Sequence, residues 1–196
     1  MKNHCMFFLV SLLIVLNVVH ADEILWSYDL TELPYMWTKA NCTFSSSGAR
    51  INILSLGWPK YGRSADGWLL TEFVVGSSDF DSLVIHTSQY ISLYAGSGTA
   101  YAVLELQING VPVNLWERSS SGPTFIDSLP IHEVMTGISN GDLLRFRFYA
   151  YAFAGYNQIA EVDWRLWDVS LTAYGALSLE QSTWAGIKAV MGCQFL

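Results

Sequence analysis

Asn109-Gly110 is the pair of residues that most constrains what this chain can become. A two-residue connection between antiparallel strands needs positive φ at both positions of a type I′ turn, and Asn followed by Gly adopts that conformation at least cost. Residues 101–116 alternate apolar and polar around it. Folding them about the turn sets Ile108 beside Val111, Leu106 beside Val113 and Leu104 beside Leu115, so one face collects apolar partners. The other face collects Gln107, Pro112, Glu105, Asn114, Val103 and Trp116. Because a slip of one residue would invert every side chain, the agreement between turn and register predicts a tight hairpin with Trp116 on its outward side.

The same alternation continues along the chain, interrupted by Gly, Ser, Asn and Asp. Residues 143–153 and 159–174 read as a second hairpin about a turn at 154–158. Its inward set is Leu144, Phe146, Phe148, Ala150 and Ala152 against Ala160, Val162, Trp164 and Leu166. Arg145, Arg147, Tyr149 and Tyr151 then lie outward, facing Glu161, Asp163 and Arg165 across the strands. After Leu166 the apolar phase changes to Val169, Leu171 and Ala173, which predicts a β-bulge near Trp167-Asp168. Further strands are expected at 23–30, 43–45, 50–56, 68–75 and 83–94, about nine in all. Residues 130–135 read equally as one helical turn or a strand edge. The expectation is an all-β fold, an antiparallel two-sheet β-sandwich of the jelly-roll kind, over residues 22–175. Beyond it, 176–196 form a C-terminal tail with a short helix opening at Ser182-Thr183-Trp184.

Residues 1–21 have the three parts of a secretory signal peptide: Lys2, an apolar run from Met6 to Val19, and a small residue, Ala21, at the cut. Export is therefore expected, to the extracellular space or the cell surface, with no membrane span left after cleavage; an uncleaved amino-terminal anchor is the alternative reading of the same apolar run. The remaining 175 residues carry 9 basic and 17 acidic side chains, a net charge of −8. That balance argues against nucleic acid as a partner, since phosphate binding needs clustered Lys and Arg. Cys42 and Cys193 remain in the mature chain. An exported pair invites a disulfide, but the position of Cys193 in the tail leaves the pairing open. Asn41-Cys42-Thr43 fits a glycosylation acceptor, relevant only to a eukaryotic secretory route.

Catalytic chemistry finds little support. His86 and His132 sit in no nucleophile or zinc-ligand motif. Glu161 and Asp163, about 7 Å apart on one strand face, could be imagined as a glycosidase pair, with a cross-strand ion-pair ladder to Arg145 and Arg147 as the plainer reading. Asp168, beside the expected bulge, is one hard oxygen ligand and no more, so neither metal nor cofactor is assigned. The aromatic signal is better. All eight Trp lie after residue 21, and the loop 57–67 combines Trp58 and Tyr61 with Arg63 and Asp66. Flat ring faces with a few charged hydrogen-bonding groups are what sugar recognition uses. Trp58, Tyr61, Arg63, Asp66 and Trp116 are the candidate ligand-binding residues, a self-packed surface loop being the alternative.

Several segments resemble, in order, the jelly-roll modules of secreted bacterial proteins called cleaved-adhesin or choice-of-anchor J domains, which are related in shape to MAM and carbohydrate-binding modules. They are Leu33-Pro34-Tyr35-Met36-Trp37-Thr38, Ala102-Val103-Leu104-Glu105-Leu106 with the later Trp116, Leu144-Arg145-Phe146-Arg147-Phe148, and Trp164-Arg165-Leu166-Trp167-Asp168-Val169. Trp167 stands where that family usually has the first Asp of a pair, a departure that weakens any metal site the resemblance would imply. Ser182-Thr183-Trp184-Ala185-Gly186-Ile187-Lys188 is similar to a C-terminal segment of some exported bacterial proteins, suggesting either a sorting tail or a packed helix. The resemblance implies a secreted, non-catalytic module recognising carbohydrate or another cell-surface component. A structural or adhesive module contacting proteins is the second reading, and a glycosidase-like enzyme the third.

Overall fold

The computed structural model describes residues 20–58, 61–76 and 80–176. Among these the regular elements are all strands: β1 (His20–Asp29), β2 (Thr38–Ala40), β3 (Cys42–Ser45), β4 (Gly48–Leu56), β5 (Arg63–Val74), β6 (Ser82–Thr87), β7 (Gln89–Ala95), β8 (Gly98–Ile108), β9 (Val111–Ser120), β10 (Phe125–Asp127), β11 (Ile131–Thr136), β12 (Leu143–Ala154), β13 (Ile159–Leu166) and β14 (Asp168–Ala176). Residues 130–135, open between helix and strand, belong to β11. The expected helical tail falls on 177–196 and Cys193 with it, outside the described residues. So does most of the expected signal segment, although His20 and Ala21 continue β1 opposite Ala176 and Gly175.

The strands form three antiparallel sheets: sheet I in the order β2-β5-β12-β8-β9, sheet II in the order β10-β7-β13-β4-β3, and sheet III in the order β1-β14-β6-β11. Sheets II and III make up one layer. β6 runs on into β7 and β13 into β14, and both breaks fall at the same level, where the Trp167 N–H donates to the Ser88 carbonyl at 3.1 Å and the Ser88 N–H donates to Asp168 Oδ1 at 2.9 Å. The bulge expected at Trp167-Asp168 is thus real, and its consequence is that one strand serves two sheets. Asp168 caps a backbone amide there.

Sheet I packs against both halves of this layer. At one end Trp26 and Tyr28 of β1 meet Trp37, and Trp26 sets its edge on Phe73 and Phe146. At the other, Trp164 of β13 stacks on Trp116 at 5.3 Å and tilts against Phe148. The inward residues expected on 143–153 and 159–174 are all fully buried, from Leu144 to Leu166. Their partners, however, are not each other. β12 pairs with β5 and β8, and β13 pairs with β4 and β7, so the two strands cross the core in opposite layers rather than forming a hairpin. The expected ladder from Arg145 and Arg147 to Glu161 and Asp163 does not exist, because those side chains lie on opposite outer surfaces. Instead Arg145 pairs with Glu72, Arg147 with Glu105, and Asp163 with Arg50 and Arg165.

The Asn109-Gly110 turn forms as expected, with φ of 52° and 85°, and Asn109 ties it to the start of β12 by accepting from the Leu143 N–H. Ile108 meets Val111 and Leu106 meets Val113, but the register then shifts: Asn114 opposes Glu105 and Trp116 opposes Leu104. Leu115 is the extra residue of a bulge, which turns the following side chains over. Trp116 is for this reason a core residue, only 8% exposed, with Arg118 5.0 Å over its ring.

One buried polar group is essential to this packing. Gln89, 1% exposed, accepts from Trp164 Nε1 at 3.0 Å and donates to the Leu129 carbonyl at 2.7 Å. Gln89→Leu would orphan the indole N–H in a dry core, at a cost of about 1–3 kcal/mol. Urea unfolding should show a correspondingly lower midpoint with an unchanged slope, and a wild-type midpoint would refute the assignment.

Candidate ligand-binding face

The outer surface of sheet I is built in transverse rungs. Reading across β2, β5, β12, β8 and β9, one rung is Ala40, Trp68, Tyr149, Val103 and Glu117. On one side of it lies a rung of Asp66, Tyr151, Tyr101 and Ser119, and on the other Thr38, Leu70, Arg147, Glu105 and Asn114. Outermost come Glu72, Arg145, Gln107 and Pro112. These residues share a face because strand side chains alternate, and their partners on the other face fill the core. Five strands at about 4.8 Å spacing give the face a width of roughly 19 Å.

Its centre is aromatic and polar together. Tyr101 lies 5.2 Å from Tyr151 and 6.0 Å from Tyr149, ring centre to ring centre. The Arg147 guanidinium stacks 4.7 Å over the Tyr149 ring and donates from Nη2 to Glu105 Oε2 at 2.8 Å. Glu105, nearly buried at 9% exposure, also accepts from Gln107 Nε2 at 2.8 Å. Arg147 Nε is buried with no hydrogen-bond partner among the described residues. Tyr101, Val103, Glu105, Asn114, Glu117, Arg147 and Tyr149 line an open cleft of about 290 Å³, just below the roughly 300–1,000 Å³ of small-ligand sites. Burial, with Tyr101 and Asp66 alongside, pushes the Tyr149 phenol up to about 12, so it remains a hydrogen-bond donor at any physiological pH.

Of the residues singled out in the sequence, Trp58, Tyr61 and Arg63 come together at one end of the sandwich. Trp58 and Tyr61 exchange backbone hydrogen bonds at 3.2 Å, both rings are well exposed, and Arg63 lies 5.8 Å over the Trp58 ring. Gly62 lets this loop close on Phe153: a Cβ there would lie 2.5 Å from that ring. Phe153 is the next outward residue of β12 after Tyr151, so the loop borders the face. Asp66 stands on the face itself, opposite Tyr151. Trp116 does not belong with them, for the reason given above. Sequence reasoning named Arg145, Arg147, Tyr149, Tyr151 and Glu105 as outward-facing but had no means of grouping them, since it took β13 for the neighbour of β12. Tyr101 and Trp68 were missed as site residues.

On the opposite surface, Asp163 accepts from Arg50 Nε at 2.6 Å and from Arg165 Nη2 at 3.0 Å. Burial works against its ionisation, but these hydrogen bonds outweigh it and hold the carboxyl below the usual range. A carboxylate so committed to Arg50 and Arg165 is a poor proton donor.

No protein-family model matches this chain, and no curated protein matches it. Solved structures similar to it include the CBM22-1 xylan-binding domain of Xyn10C from Paenibacillus barcinonensis, with 14% identity, 75% of this chain and 96% of that one covered, and a TM-score of 0.35. They also include the K3 cleaved adhesin domain of Lys-gingipain from Porphyromonas gingivalis, with 12% identity, coverage of 76% and 99%, and a TM-score of 0.38. A third is xylanase 10C of Cellvibrio japonicus, with 11% identity and a TM-score of 0.40; the chain spans only 28% of it, with 76% of this chain covered. Two of these three, the CBM22-1 domain and the cleaved adhesin domain, are of the kinds that the sequence segments resemble. At these identities and TM-scores the likeness says nothing about ligand or mechanism.

The Tyr149 environment is measurable. Its pKa is raised in the folded state, so its contribution to stability is complete below pH 10 and is lost as pH rises through about 12. Spectrophotometric titration of Tyr149→Phe should lose a phenol that ionises near pH 12. Loss of one that ionises near 10 would show that Tyr149 is solvated.

Proposed function

We propose that this protein is an exported, non-catalytic binding module that takes a neutral glycan chain across the outer face of sheet I. The observation that carries the reading is the cluster of Tyr101, Tyr149 and Tyr151 at the centre of that face, rimmed by Trp68, Asn114, Glu117 and Asp66. Ring faces supply the apolar contact for C–H bonds of a pyranose, and carboxylate, amide and phenol groups supply acceptors and donors for its hydroxyls. Charge supports a neutral ligand. The guanidiniums of Arg145 and Arg147 are already committed to Glu72 and Glu105, while Glu117 and Asp66 have no cationic partner among the described residues. An approaching uronate or sulfate would meet the negative charge of Asp66 and Glu117 at the centre of the face, where both guanidiniums are already paired. The Trp58-Tyr61 loop extends the aromatic surface at one end.

The second reading, a protein-contacting adhesive module, is favoured by a different surface. On sheet II, Leu56 and Ile159 pair directly and Leu54 lies beside them, each about half exposed.

Two measurements separate these readings. In isothermal titration against soluble neutral and anionic polysaccharides, the neutral ones should bind, and Tyr149→Ala or Trp68→Ala should weaken them at least tenfold, with Trp58→Ala milder. Tighter binding of polyuronates would overturn the charge argument, and no binding by folded protein would favour the adhesive reading. Export predicts a mature N-terminus at Asp22, checked by N-terminal sequencing of secreted material; a chain that retains residues 1–21 would contradict it.

A further inference from the structure

His86 and His132 are far apart in sequence, and neither carries a motif, but the fold sets them directly opposite one another. β11 pairs antiparallel with β6 in a register that places His132 against His86, and both side chains project from the outer face of sheet III, on the side away from the core. Their ring centres are 6.0 Å apart with the planes at 66°. His86 is half-buried, flanked by His132 on one side and by Ser170 of β14 on the other. His132 stands on the edge strand and is exposed.

We infer that His86 and His132 form a site for a nitrogen-preferring divalent transition metal, of the class Cu²⁺, Ni²⁺ or Zn²⁺. A metal about 2.0–2.1 Å from one nitrogen of each of two imidazoles holds the ring centres roughly 5–6 Å apart. The observed separation lies in that range, so a small rotation about the side-chain torsions is enough. The two rings come from adjacent, hydrogen-bonded strands, which removes most of the entropic cost of bringing two ligands together. The rest of the coordination sphere is open: among the described residues no third His, Cys, Asp or Glu completes a cluster. The adjoining Glu133 alternates to the other side of β11, leaving water and the Ser170 hydroxyl as the remaining donors. Such a site is exchangeable rather than structural, and two imidazoles without carboxylates select against Ca²⁺ and Mg²⁺. The site lies on a different sheet from the tyrosine face and does not depend on the glycan reading.

The metal bridges edge strand β11 to the body of sheet III, so it also stabilises the fold, in proportion to the logarithm of its concentration above the dissociation constant. The test is titration of the untagged secreted protein, residues 22–196, with CuSO₄ and with NiCl₂, read by calorimetry, by the Cu²⁺ electron paramagnetic resonance spectrum and by thermal unfolding. The expected result is a site with two nitrogen ligands and a rise in Tm, both absent with CaCl₂. His132→Gln, on an exposed position where folding is not at risk, should weaken binding at least tenfold and abolish the rise in Tm; His86→Asn should do the same. Wild-type affinity in the double variant, or no Cu²⁺ or Ni²⁺ binding by the folded wild-type protein, would overturn the assignment.

Discussion

Gln89 carries an amide into a core from which water is excluded, and both of its polar atoms are used: one holds the indole of Trp164, the other the carbonyl of Leu129. A buried amide is tolerated only when it is satisfied in this way. Its position explains why it is there. Gln89 begins β7 immediately after the break at Ser88, and Trp164 lies on β13 just before the break at Trp167. The amide therefore fixes the point at which one layer divides into two sheets, and the Ser88 to Trp167 and Ser88 to Asp168 hydrogen bonds complete the seam. With the seam in place, Trp164 is held against Trp116 and Phe148, and Trp26 on the other half-layer reaches Phe146 and Phe73. Sheet I thereby has both halves of the divided layer packed on one of its faces.

That arrangement decides what the other face can be. Where each strand of sheet I presents an alternating set, the inward half is consumed by the core and the outward half is left for solvent or ligand. On most sandwich surfaces the outward half is occupied by small polar and charged residues. Here the central strand β12 offers Phe153, Tyr151, Tyr149, Arg147 and Arg145 in succession, and its neighbours answer with Trp68, Tyr101 and Glu105. Aromatic rings on a solvent-facing sheet gain little from packing alone. Here they group around an ion pair, Arg147 with Glu105, whose carboxylate is nearly buried.

Much of this was legible in the sequence, and the part that was not has a definite cause. Alternation fixes which side chains of a strand point together, and the inward sets of β12 and β13 were read correctly to the residue. The Asn109-Gly110 turn was equally plain, because its dihedral demands are local. Alternation is silent, by contrast, about which strand lies next to which. A connection at 154–158 fits a hairpin and a crossing between layers equally well, and the chain takes the second. The error over Trp116 has a similar origin: one extra residue at Leu115 reverses the phase without leaving a mark in the pattern of residue types. The juxtaposition of His86 with His132 depends wholly on the pairing of β6 with β11, which no local signal announces.

The three outer faces consequently differ in chemistry although they share one core. Sheet II presents Arg50 and Arg165 sharing the single carboxylate of Asp163, beside the apolar Leu54, Leu56 and Ile159. Sheet III presents two imidazoles and hydroxyl groups. On sheet I three tyrosine rings lie beside Asp66 and Glu117, and the Arg147 guanidinium lies over the Tyr149 ring and donates to Glu105, with its Nε buried and unpaired among the described residues. A buried donor left without a partner costs stability. Here that cost is set against the two contacts the same side chain makes, with the Tyr149 ring and with Glu105, which hold the guanidinium at the centre of the aromatic cluster.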